Sequence, residues 1–190
     1  MNCPRVEFIT TVDTSEVISH QLKVLIDNGL GGIVLVLLIL TLFLGWRVAL
    51  VTAIGLPFCY TGVLLGLDAL GISLNIISMV GCILVLGLLV DDAIIVAEAF
   101  TTRLLGGQKS EDAAGDAAVQ MMRPVAGMVV TTALAFAPFL VISGELSSIF
   151  GGVAIVVILA LALSFLESFF LLPNHLRHFV GERSHPTERA

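Results

Sequence analysis

The stretch Ile76-Ile-Ser-Met-Val-Gly-Cys-Ile-Leu-Val-Leu-Gly-Leu-Leu-Val-Asp-Asp-Ala-Ile-Ile-Val-Ala-Glu98 decides how this chain is read. Fifteen residues without a charge lead into two adjacent carboxylates, Asp91 and Asp92, and five more apolar residues follow before Glu98. Apolar residues surround the helix rather than forming one stripe, and such a segment is solvated by hydrocarbon rather than by water. Lipid offers no hydrogen-bond partners to an open backbone, so the run must be helical. It begins near Ile72 and continues past Asp92 to about Phe100.

The rest of the chain fits that reading. Of 190 residues, 57% are hydrophobic and 13% charged, with a mean hydropathy of +1.06. A water-soluble domain carries roughly 45–50% apolar and about 25% charged residues. Four further apolar runs, about Leu30–Trp46, Ala49–Leu67, Pro124–Ile142 and Ile149–Leu172, each approach the roughly 20 residues that cross a bilayer as a helix. The fold class is therefore an all-α membrane protein with five transmembrane helices. Pro57 is expected to kink the second span, Pro124 suits the first turn of the fourth, and Pro173 closes the fifth. Between spans three and four, Ser110 can cap a helix opening at Glu111 and Asp112, expected to lie along the surface as an amphipathic element. Residues 6–11 alternate weakly, as a short strand does. Cys3, Cys59 and Cys82 have neither disulfide nor metal spacing and read as small core hydrophobes. No basic run suggests nucleic acid.

Arg47, Arg103, Lys109, Arg123, Arg177, Arg183 and Arg189 fall on one side of the spans, while the loops Asp68–Gly71 and Gly144–Ser148 have no Lys or Arg. By the positive-inside rule the first side is cytoplasmic, with Arg5 and Lys23 as a minor dissent. The expected organisation is an external segment 1–28 leading into the membrane, spans one to three over 29–102, a cytoplasmic surface helix and loop over 103–123, spans four and five over 124–173, and a disordered cytoplasmic tail over 174–190.

Asp91 and Asp92 are the candidate functional centre. Arg103, the first positive charge beyond them, lies twelve residues on, roughly 18 Å along a helix, which puts the pair near the bilayer midplane if Arg103 reaches the headgroups. An ionised Asp there costs about 2.5–3.5 kcal/mol or more, and no Lys or Arg in these spans is deep enough to pair with it. Coupled carboxylates of this kind titrate as a unit and suit reversible proton carriage. Their side chains diverge by about 100°, so a junction of several helices is expected around them. Glu98, on a similar face, is either a secondary proton exit or an interfacial charge. Gly62, Gly66, Gly81 and Gly87 read as close-packing positions, Thr131 and Thr132 as bonded to their own backbone, and Glu167 as an interfacial anchor. No cofactor is expected; the coupling ion is the proton.

At these residues a family resemblance emerges. Gly87-Leu-Leu-Val-Asp-Asp-Ala-Ile-Ile-Val-Ala-Glu98, preceded by Ile72-Ser-Leu-Asn-Ile-Ile-Ser-Met79, closely resembles the fourth transmembrane helix of resistance–nodulation–division (RND) efflux transporters of the hydrophobe/amphiphile, acriflavine-resistance branch. Leu42-Phe-Leu-Gly-Trp-Arg47 resembles the end of their second helix, and Glu167-Ser-Phe-Phe-Leu-Leu-Pro-Asn-His-Leu176 the end of their sixth. The resemblance implies helices two to six of a twelve-helix subunit in the bacterial inner membrane, with residues 1–20 as the tail of a periplasmic porter domain. It implies that Asp91 and Asp92 form a proton relay completed by a Lys on a helix of the second half. It further implies a homotrimer that works with a periplasmic adaptor and an outer-membrane channel: a transporter, not an enzyme. The metal-ion-exporting branch generally carries one Asp where this chain has two. An intramembrane aspartyl protease wants its two Asp residues on separate helices, with Gly-x-Gly-Asp at one, whereas Leu89 and Val90 precede Asp91 here. An inactive truncated remnant is the third alternative.

Overall fold

The computed structural model describes residues 14–72 and 75–181 of the chain, and every regular element among them is helical. The elements are α1 (Thr14–Leu44), α2 (Trp46–Ala69), α3 (Ile76–Leu105), α4 (Ser110–Phe136), the single turn α5 (Pro138–Val141), α6 (Glu145–Leu166), a π-turn (Glu167–Leu171) and α7 (Leu172–Gly181). Five stretches are long and apolar enough to cross a bilayer: Leu22–Leu44, Trp46–Ala69, Ile77–Leu105, Ser110–Val141 and Phe150–Val180. The strand expected at residues 6–11 and the segment 182–190 lie outside the described residues.

The helix boundaries have local causes. Gly45, with φ of 88°, separates α1 from α2, because the chain there takes a left-handed conformation that only glycine adopts without strain. α3 starts at Ile76 rather than near Ile72 because Asn75 caps it. Its Oδ1 accepts from the backbone N–H groups of Ile77 (3.0 Å) and Ser78 (2.9 Å), while Ser78 Oγ accepts from the Asn75 N–H (2.8 Å). This reciprocal capping box satisfies donors that the first helical turn leaves open.

Four expectations change. The separate surface helix does not exist as such: α4 runs unbroken from Ser110 through Pro124 to Phe136. Its first turns carry a face of small residues, Ala113, Ala114, Ala117 and Ala118, all buried. That face packs against the end of α3 and against α7, which aligns the segment with the span instead of laying it flat. At 1.5 Å per residue α4 is about 40 Å long, more than the hydrocarbon thickness, so its Ser110 end stands clear of the apolar layer. Ser110 itself turns its hydroxyl to the Arg177 carbonyl (3.4 Å) rather than capping α4.

Pro173 does not close the fifth span, and residues 174–181 are helical rather than disordered. A proline ring collides with the carbonyl four residues back in a regular helix. The π-turn just before it widens the backbone, with the Leu172 N–H bonded to the Glu167 carbonyl five residues earlier, and the helix passes through. Pro57, expected to kink the second span, sits inside α2.

Two buried clusters hold the bundle. One, around Val63, Leu67, Met79, Val85 and Val157, joins α2, α3 and α6. The other, around Phe100, Ala117, Val125, Leu172 and Leu176, joins the far end of α3 to α4 and α7. The outer faces of α1 and α4 present Leu35, Leu38, Leu42, Val130 and Leu134 outward, as a lipid-facing surface does.

Candidate functional site

α3 runs through the middle of the bundle, in contact with α1, α2, α4 and α6. A helical step of about 100° separates its two carboxylates in direction. Asp92 points inward and is 2% exposed, whereas Asp91 is exposed. Both line a cleft of about 50 Å³ closed by Met128 and Thr132 of α4 and Leu161 of α6. The junction of several helices expected from the sequence thus consists of α3, α4 and α6.

The polar groups around Asp92 are few. Ser164 of α6 stands against its carboxyl group and donates a hydrogen bond to the Leu89 carbonyl (3.2 Å), tying α6 to α3 at this level. Asp92 Oδ2 has no hydrogen-bond partner among the described residues. Nor does any Lys, Arg or His among them form an ion pair with either Asp. The ion pairs present, Arg103–Asp116 (3.3 Å) and Arg177–Glu111 (3.8 Å), lie at the Ser110 end of α4. A buried carboxyl with an unsatisfied oxygen and no cation is electrostatically incomplete.

Glu167 is where the structure departs furthest from the sequence reading. It is not an interfacial anchor: it is 3% exposed. The π-turn carries it between α6 and α7 and points it at α2, where Gly55 leaves room. A Cβ at position 55 would collide with the Glu167 carboxylate. Among the described residues its one side-chain hydrogen-bond partner is the Ser168 hydroxyl at 3.5 Å. Asp92 lies within electrostatic reach of Glu167, and the Cys59 thiol of α2 within reach of both. A signal for this was present: Ser164, Glu167 and Ser168 recur at helical spacing on one face of an otherwise apolar span.

The remaining expected residues divide. Gly62 and Gly66 of α2 face Leu163 and Leu159 of α6, and Gly81 of α3 faces Val153 and Val156 of α6. Gly87 departs from the packing expectation, since nothing among the described residues lies within 4 Å of where its Cβ would be. It sits one turn before Asp91, on the same open side of α3. Glu98 is exposed and borders a cleft of about 360 Å³ between α1 and α3, with Phe43, Thr101 and Thr102. Thr131 and Thr132 donate to the Gly127 and Met128 carbonyls of their own helix (2.8 and 2.9 Å). Among the described residues no group of three or more His, Cys, Asp or Glu side chains is placed to hold a metal ion.

A family model described as the AcrB/AcrD/AcrF family matches residues 3–190, nearly the entire chain. The chain belongs to this family. The swarming motility protein SwrC of Bacillus subtilis is 27% identical over 183 residues, covering 93% of this chain and 17% of SwrC. The multidrug resistance protein MdtF of Escherichia coli is 30% identical over 164 residues, covering 85% of this chain and 16% of MdtF. The toluene efflux pump membrane transporter TtgE of Pseudomonas putida is 29% identical over 171 residues, covering 88% and 16%. The chain therefore spans about a sixth of the length of these AcrB/AcrD/AcrF-type relatives, and that sixth is a transmembrane part of an RND protein.

Proposed function

We propose that this segment is the proton-coupling part of an inner-membrane RND transporter that exports drugs or other amphiphilic compounds, with Asp91 and Asp92 as the proton relay. The observation that carries the reading is the asymmetry of the pair. Asp92 is enclosed with an unsatisfied oxygen, while Asp91 opens on the side of α3 that Gly87 leaves bare. Protons reach the open carboxylate, the closed one passes them on, and the change of charge in a low-dielectric junction alters how the helices pack. A Lys on a helix of the second half of the subunit is the counter-charge, and the bare face of α3 is where a helix can approach. The trimer, adaptor and outer-membrane channel belong to the same reading, as does an external N-terminal and cytoplasmic C-terminal side. The names of MdtF and TtgE support a multidrug or solvent exporter as the class.

The test is made in the complete transporter that carries this segment. Asp91→Asn and Asp92→Asn should each abolish proton-driven export and the resistance it confers, with membrane abundance unchanged on immunoblots. Full resistance at normal expression in either variant overturns the relay.

A further inference from the structure

Beside Asp92, the described residues hold a second buried carboxyl, Glu167, for which the relay as described has no use. Glu167 lies at the level of Asp92: Ser164, one turn earlier, is bonded to Leu89, one turn before Asp92. Three features of the fold converge on it. The π-turn Glu167–Leu171 redirects its side chain inward, and single π-turns inside α-helices recur at functional sites. Gly55 of α2 leaves room for its carboxylate, which a Cβ at that position would overlap. Among the described residues its surroundings provide one side-chain hydrogen bond, from Ser168, which is too little to hold a permanent charge in a membrane interior.

The charged and titratable groups on the elements packed against the π-turn explain the rest. α3 contributes Asp92 and, on its open side, Asp91. α2 contributes Cys59, with Tyr60 turned toward Cys82. On α4 and α7, Arg177 pairs with Glu111 at the Ser110 end and Arg123, midway along α4, is exposed; Arg47, at the start of α2, lies over the Trp46 ring. Glu167 therefore has Asp92 as a charged neighbour and, among the described residues, no ion-pair partner. A structural carboxylate would be expected to have a cation or several donors.

We propose that Glu167 is a third proton-binding carboxyl, exchanging a proton with Asp92, so that the path crosses the bundle from the open Asp91 through Asp92 to the α2 side. The inference rests on the relay reading above. In the step, the proton leaves the Asp92 carboxyl group and joins the Glu167 carboxylate, so Asp92 becomes charged and Glu167 neutral, with total charge unchanged. Ser164 and Ser168, one turn apart, line the route. Gly55 keeps it open.

The experiment uses the complete transporter in proteoliposomes with an imposed pH gradient, comparing Glu167→Gln, Glu167→Asp and Asp92→Asn. Loss of gradient-driven export in Glu167→Gln, partial recovery in Glu167→Asp, and facilitated substrate leak retained in both support the proposal. Wild-type export by Glu167→Gln beside an inactive Asp92→Asn overturns the third carboxyl and leaves the aspartate relay standing. Export by Asp92→Asn overturns the relay and this extension together. A second measurement needs no variant. A hydrophobic carbodiimide, which attacks protonated carboxyls, should label Glu167 in the wild-type protein, located by peptide mass spectrometry, with labelling that falls as pH rises. Labelling of Asp92 with none at Glu167 at any pH overturns the proposal.

Discussion

Glu98 and Glu167 are the same side chain in opposite settings. Glu98 borders an open cleft between α1 and α3 and remains exposed. Glu167 is enclosed because its backbone is wound one residue wider and because the residue opposite is glycine. The glycines themselves differ in the same way. A side chain at Gly81 would meet Val156 Cβ at 3.1 Å and the Val153 Cα at 3.3 Å, and the latter, being backbone, cannot rotate aside. Gly81→Leu is therefore expected to destabilise the bundle, by about 1–3 kcal/mol for an overpacked contact. Gly87→Ala meets nothing among the described residues and should, in this bundle, be neutral or gain about 0.5–1 kcal/mol from helix propensity. Thermal midpoints in detergent check the pair: equal midpoints would mean that α3 and α6 are not in close contact at Gly81.

At the scale of elements, the π-turn links the site to the packing of the bundle. By letting the helix continue through Pro173, it delivers Leu172 and Leu176, both fully buried, to the alanine face of α4. It turns Glu167 inward at the same time. Docking of α7 on α4 and the position of the third carboxyl thus depend on one local winding. Leu176→Ala should cost about 2–5 kcal/mol as a buried large-to-small change, lowering the thermal midpoint. Phe179→Ala, at a position 66% exposed, should leave it near wild type. Equal effects would show that α7 does not pack through its Leu172–Leu176 face.

For the whole molecule, the distribution of Lys and Arg gives a testable sidedness. Lys109 lies in the exposed α3–α4 connection, and Asp68 is exposed near the opposite end of the bundle. A membrane-impermeant maleimide should label Asp68→Cys in intact spheroplasts and Lys109→Cys only after the membrane is opened. The reverse pattern would invert the topology. The native Cys59 and Cys82 are buried, and replacing Cys3 by Ser in both variants gives the unlabelled background.

Much of this architecture is legible in the chain itself. Length and apolarity of the runs fix five helices, because hydrocarbon leaves the backbone no other means of satisfying its hydrogen bonds. The doublet Asp91–Asp92 stands out because a charge in such a run is costly wherever the helix sits. The clustering of Lys and Arg predicts which ends share a side. What only the tertiary structure decided is which residues face one another. Ala113 and Ala117 are ordinary helix residues as sequence, yet with Leu176 of α7 they form a buried cluster that aligns the start of α4 with its span. Pro173 reads as a stop signal, since its clash with a preceding carbonyl is local, but the π-turn that relieves it is held in place by tertiary packing. Glu167 looks like an anchor near a helix end, and becomes a buried neighbour of Asp92 because Gly55, more than a hundred residues away in the chain, leaves it space. Solvent sets what each segment must become, and periodicity records it. Contact partners depend on the shapes of facing helices, and no single segment carries that information.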